Sequence, residues 1–223
     1  MTAQTETQRT VEANCLPDNR LLDRLAIREL LENWVLWRDA GQWDRFATVW
    51  HAGGRMNASW FQSDATDFIA GCRKAFDAGM VGMHSLGGST IEVRGSRAVA
   101  YTKMQITQRA PLNGVSVDVI CDGRFADALE RRDGRWGMVW RQPIYELDRL
   151  IVLDPAATLA LDADLLQSFP QGYRHLGYLQ TQLGFDVSRT LPGTRGLEVE
   201  ALYSRLEGWL EGADASCLDT GKH

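Results

Sequence analysis

From about residue 83 the sequence stops repeating every three to four positions and begins to alternate. Val115, Val117, Val119, Cys121 and Gly123 fall on one parity, and Ser116, Asp118, Asp122 and Arg124 on the other. That is the period of a strand with one apolar face. Strands are expected over residues 83–94, 97–110, 114–131 and 135–147. The turn signals between them are Gly95-Ser96, the Pro111 to Gly114 cluster and Asp133-Gly134. Four long strands in a row form an antiparallel meander, and its apolar face has to be covered by something else in the chain.

The cover lies upstream. Asp18 suits a helix N-cap, and Leu22, Leu25, Ala26, Leu30, Leu31, Trp34 and Val35 follow at helical spacing, with Gly41 as the stop. A short helix is expected over 42–50, with Trp43, Phe46, Val49 and Trp50 on one side, broken by Gly53-Gly54. Residues 55–61 read as a strand, and the capping-rich stretch 63–67 opens a helix running to about Ala78. Helix, helix, strand, helix and meander together define an α+β fold: a cone-shaped, curved antiparallel (mixed) sheet wrapped around the N-terminal helices. Downstream, residues 162–183 read as helical with Pro170 splitting them, and a last helix covers 197–210. Having no strands of their own, these helices must cover the pocket mouth or an interface. The expected organisation is a disordered lead-in over 1–17, the cone domain over 18–152 and a helical extension over 153–223.

Composition narrows the function classes. A chain of 223 residues, 44% hydrophobic and 24% charged, can bury a sizeable core. The net charge of −5 argues against nucleic acid or an anionic membrane as a partner. Residues 1–14 are polar, unlike a signal peptide, and no apolar run approaches membrane-span length. Cys15, Cys72, Cys121 and Cys217 are too scattered for a disulfide framework or a zinc site, so a cytoplasmic location is expected. His51 and His223 have no ligand spacing with His84, and there is no phosphate-binding motif; no metal and no cofactor are expected. The outlier is eight Trp, which suit an aromatic-lined cavity or an interface, although core filling explains any one of them equally well.

Two residues carry the candidate chemistry. Asp39 sits at the end of the first helix among Trp34, Trp37 and Trp43, and His84 opens the first meander strand. Histidine titrates where a general base for carbon acids is needed, and a carboxylate on its far nitrogen would fix its tautomer. An Asp39 held among indoles at the negative end of a helix dipole would need pairing, which a cationic His84 could supply. From residue types alone, a surface aspartate and a satisfied core histidine are the favoured account.

The spacing changes that balance. The segment from Arg38 to Phe46, then Arg55-Met56-Asn57, His84-Ser85-Leu86-Gly87-Gly88 and Asp133-Gly134-Arg135-Trp136 together resemble the SnoaL-like branch of the nuclear-transport-factor-2-like superfamily. That branch includes scytalone dehydratases, hexachlorocyclohexane dehydrochlorinases and cofactor-free lyases of lignin-derived diarylpropanes. The resemblance covers about residues 20–150. It implies that His84 is the catalytic base and Asp39 its partner. It also implies differences: Arg38 stands where the dehydratases have tyrosine, Gln108 where they have a second histidine, Ala58 near their second pocket tyrosine and Phe125 near a strand asparagine. These departures point away from scytalone itself.

The reading that follows is a cofactor-independent lyase. It would eliminate water, or a small fragment such as formaldehyde, from a hydrophobic, aromatic hydroxylated compound. Arg38, Gln108, Trp34, Trp60, Phe125, Arg141 and Tyr145 are the expected substrate contacts. Gln105 has the opposite parity to Gln108, so only one of them can face the cavity. Tyr145, Arg141 and Glu146 are candidate acids, with Tyr101, Tyr173, Tyr178 and His175 in reserve. The alternatives are an isomerase or cyclase of ketosteroid or polyketide type, and a non-catalytic small subunit of a ring-hydroxylating dioxygenase. By the same resemblance, a homotrimer is expected.

Overall fold

A computed structural model describes residues 18–219 of the chain; the lead-in expected over 1–17 lies outside the described residues. Helix α1 (Asp18–Asp39) and the short α2 (Trp43–Ala47) lead into β1 (Trp50–Asn57) and β2 (Gln62–Asp64). Helix α3 (Ala65–Asp77) precedes the four long strands β3 (Val81–Arg94), β4 (Arg97–Leu112), β5 (Val115–Arg132) and β6 (Arg135–Val152). The extension holds α4 (Ala163–Gln167), a 3-10 turn at Gln171–Tyr173, α5 (Arg174–Gln182) and α6 (Leu197–Leu210). The single sheet runs β2-β1-β6-β5-β4-β3. All pairings are antiparallel except β1 with β6, which makes the sheet mixed. Two of the hairpin turns use Asn113-Gly114 and Asp133-Gly134, with positive φ at both positions of each, the geometry that matches strand twist.

Two sequence boundaries move, for physical reasons. The short helix ends at Ala47 because Trp50 is already paired with Met138 of β6, and Gly53-Gly54 lies inside β1 at a register shift. Residues 58–61 leave the sheet instead of extending it: the Ala58 N–H donates to the Phe61 carbonyl at 2.7 Å. That turn carries Ser59 and Trp60 away from strand geometry and towards the interior.

Helices α1 to α3 fill the concave side, where Ile27, Leu31, Trp34, Phe46 and Phe68 meet Phe125, Met138 and Tyr145. The extension divides between the two sides. Tyr173, Leu176 and Leu179 join the concave core, whereas Val199, Leu202, Leu206 and Trp209 of α6 cover Val99, Ala126, Ala128, Val139 and Trp140 on the convex side. The convex face is therefore covered, in part, by the chain's own last helix. Arg97 fastens it, with its guanidinium carbon 3.8 Å from the Trp209 ring centre and Nη1 donating to the Trp209 carbonyl at 2.8 Å.

Candidate active site

The concave side encloses a cavity of about 190 Å³. Register puts polar groups into it: His84 pairs with Ile106 and Gly82 with Gln108 across β3 and β4, and all four line the space. The opposite wall is aromatic and continuous. Trp34 stacks on Phe68 at 6.2 Å, Trp60 meets Phe68 at 5.7 Å, and Trp60 meets Phe185 at 5.1 Å.

At one end Asp39 and His84 form a couple. His84 Nδ1 lies 2.9 Å from Asp39 Oδ1, and the His84 backbone N–H donates to Asp39 Oδ2. Arg38 Nη1 donates to the same Oδ1 at 2.9 Å and to the Gly82 carbonyl at 3.2 Å. A Cβ at Gly82 would sit 3.2 Å from that guanidinium, so a larger residue there would press on Arg38. The His84 and Asp39 side chains are 7% and 18% exposed. Trp34 meets the imidazole edge-on at 5.5 Å.

The electrostatics differ from the sequence expectation of a cationic His84. Burial, followed by the charge of Arg38, lowers the His84 pKa against the pull of Asp39. Burial alone would raise the Asp39 carboxyl, but the hydrogen bond and charge of His84 and the charge of Arg38 bring it below its usual value. The resting pair is thus a carboxylate and a neutral imidazole, with Arg38 and the backbone N–H completing the carboxylate's pairing. A carboxylate can only accept, so Nδ1 carries the ring proton and Nε2 keeps its lone pair. Among the described residues Nε2 has no hydrogen-bond partner. An imidazole that rests neutral, is held in one tautomer and has Nε2 free is available to accept a proton.

Trp34, Arg38, Trp60, Gln108, Phe125 and Tyr145 also line the cavity. Arg141 does not: it lies behind the wall, its guanidinium carbon 4.0 Å from the Phe125 ring centre and 4.4 Å from that of Trp34. There it grips Asp127 through Nε at 2.6 Å and Nη2 at 2.9 Å. Gln105 points the other way and donates to Asp122 at 2.7 Å. Glu146 is held by Lys103 and Arg124, Tyr101 packs on Tyr203, and His175 pairs with Asp148 at 2.8 Å; none of these lines the cavity. Tyr173 and Tyr178 stay in the core, with the Tyr173 hydroxyl donating to the Ser188 carbonyl and the Tyr178 hydroxyl accepting from the Asp162 N–H. Sequence reasoning missed Ser59, Cys72 and Gln180, all of which line the space. Burial pushes the Cys72 thiol up to about 11, so it stays a neutral wall group. No signal in the sequence marks Gln180, because its placement depends on where α5 docks.

Among the described residues, no group of three or more His, Cys, Asp or Glu side chains could hold a metal ion, and no helix is long and apolar enough to cross a membrane.

A curved, mixed six-stranded sheet wrapped over helices is the nuclear-transport-factor-2-like fold. Within it, residues 19–142 match the model of the SnoaL-like domain, and the chain belongs to that family. It is 38% identical over 207 residues to pea pathogenicity protein 2 of Fusarium vanettenii, covering 88% of this chain and 89% of that protein. An uncharacterised protein of Emericella nidulans is 34% identical over 214 residues, covering 89% and 90%. Among solved structures, a Novosphingobium aromaticivorans protein named after scytalone dehydratase superposes with a TM-score of 0.52 at 14% identity, covering 65% of this chain and 100% of that one. The type-3 hexachlorocyclohexane dehydrochlorinase of Novosphingobium barchaimii does so with 0.51 at 15%, covering 64% and 98%. At such identities the two structures establish the fold alone.

Proposed function

We propose that the protein is a cofactor-independent lyase. It removes water, or a small fragment such as formaldehyde, from a compact, hydrophobic, aromatic hydroxylated compound. His84 takes the proton through Nε2, and Asp39 holds the imidazole in that tautomer and stabilises the imidazolium that forms. The observation that carries this reading is the buried couple with its unoccupied Nε2 facing an aromatic cavity. The size of the cavity favours one ring over two: about 150 Å³ of apolar space accommodates a benzene, and this cavity is about 190 Å³. Arg38 carries a fixed positive charge beside the couple, where it favours an oxyanion developing on the substrate.

The test is turnover of single-ring aromatic diols and β-hydroxy ketones by metal-stripped protein with no added cofactor, read as mass loss. Turnover is expected from the intact chain and not from His84→Ala. Turnover that survives His84→Ala unchanged overturns the mechanism. Exchange of substrate protons without mass loss replaces the lyase with an isomerase.

A further inference from the structure

Away from the Asp–His couple, the cavity wall holds four polar side chains in a connected row. The Ser59 N–H donates to the Tyr145 hydroxyl oxygen at 3.2 Å. Ser59 Oγ donates to Gln180 Oε1 at 2.7 Å, and Gln180 Nε2 donates to Gln108 Oε1 at 3.3 Å. All four residues are more than nine-tenths buried and line the cavity. They come from three separate parts of the fold: the turn after β1, the strands β4 and β6, and helix α5 of the extension.

Counting donors and acceptors gives this row a polarity. Both amide oxygens are engaged as acceptors, and the phenolic oxygen accepts as well. The Tyr145 hydroxyl also has a side-chain hydrogen bond with Ser59, which leaves two sets of protons over: both on Gln108 Nε2 and one on Gln180 Nε2. No acceptor among the described residues takes any of them. Buried donors without acceptors cost about 1–3 kcal/mol each unless water or a ligand satisfies them, so a row presenting several of them to a cavity is suited to a ligand oxygen. Burial raises the Tyr145 pKa against the hydrogen bonds of Ser59, which lower it, so its proton stays in place.

We propose that Gln108 and Gln180 form a donor wall that selects compounds carrying an acceptor-only oxygen, a carbonyl or a deprotonated phenol, and that α5 completes the site by supplying Gln180. This rests on the lyase reading of the same cavity, and it adds the polar group by which a substrate is chosen. His84 Nε2 accepts and the wall donates, so the two ends of the cavity read opposite ends of one small molecule. Gln180 is a specificity residue, remote in sequence from the matched family segment, which ends at residue 142.

The probes are acetophenone and its isostere α-methylstyrene, which differ by C=O against C=CH2. Binding to the full chain is followed by Trp fluorescence and checked by calorimetry. The intact protein is expected to prefer acetophenone by about tenfold, the worth of one well-made hydrogen bond. Gln180→Met keeps the volume and is expected to bring that preference close to one while α-methylstyrene binding is unchanged. Gln108→Met, on a paired strand, is the second variant should α5 loosen, with thermal melts reporting the fold of each. His84→Ala is expected to abolish turnover yet leave the preference intact, which separates failure of the lyase reading from failure of the wall. Equal binding of both probes, binding of neither up to their solubility limits, or a full preference in both Met variants overturns the proposal.

Discussion

The buried Asp127–Arg141 pair makes the sharpest stability prediction. Both side chains are 0% exposed, the contacts are bidentate at 2.6 and 2.9 Å, and Arg141 Nη1 has no partner at all. Burial raises the Asp127 pKa, and the charge and hydrogen bonds of Arg141 offset this only in part. The cost of desolvating two buried charges is of the same order as their attraction, so a pair of this kind adds little over an apolar pair of the same volume. Removing one partner is a different perturbation, since it leaves a charge stranded in the core. Asp127→Ala should cost about 3–5 kcal/mol, which in a chain of this size lowers Tm by roughly 6–20 °C. Replacing both, as Asp127→Leu with Arg141→Met, should be neutral or stabilising. The assay is urea denaturation of the wild type, both single variants and the double variant, giving a coupling energy from the cycle. A cost below about 1 kcal/mol for Asp127→Ala, or a double variant as unstable as the worse single one, would refute the reasoning.

Four further outcomes are expected. Asp39→Asn should reduce turnover on the order of 10⁴-fold, because an amide cannot accept from both the ring and the backbone N–H of His84; the imidazole tautomer, read from ¹⁵N shifts, should change with it. The acid limb of the pH–rate profile should lie below the ordinary histidine value of 6.5, and Arg38→Met should move it upward by removing a charge that lowers His84. Since the folded-state value is the lower one, stability should hold above pH 6.5 and fall from there down to the folded-state value, which a series of melts against pH checks. Gly172→Ala should destabilise by about 1–3 kcal/mol and displace α5, because its Cβ would collide with the Tyr145 carbonyl; denaturant melts and the acetophenone preference should both report it.

Much of the concave half was legible because periodicity and turn chemistry agree there. The alternation after residue 83, the Asn113-Gly114 and Asp133-Gly134 turns, and the stripe through Leu31 and Trp34 each specify one local structure. The Asp39–His84 contact was legible only by analogy of spacing, since no local rule links a helix end to a strand start 45 residues away. Arg141 was misplaced as a cavity group because Asp127, its direct partner in the β5–β6 register, shares its face and ties the guanidinium down against Phe125 and Trp34, a cross-strand pairing that no local rule announces. The docking of α6 did leave a trace. Phe125-Ala126-Asp127-Ala128-Leu129 and Trp136-Gly137-Met138-Val139-Trp140 hardly alternate in polarity, as strands do when both faces are covered, and Ala126 and Ala128 are the small residues packed with Trp209. Gln180 left none, because Asp148 accepts from the backbone of Leu176 and thereby fixes a helix whose register only the folded chain defines.

The segment that marks this lineage stops at residue 142, in the middle of β6, whereas the last seventy residues grip the sheet from both sides. What the SnoaL-like domain spans and what folds as one body thus have different borders. A chain cut back to that domain would lose the roof of its chamber and bare an indole-rich back in the same stroke.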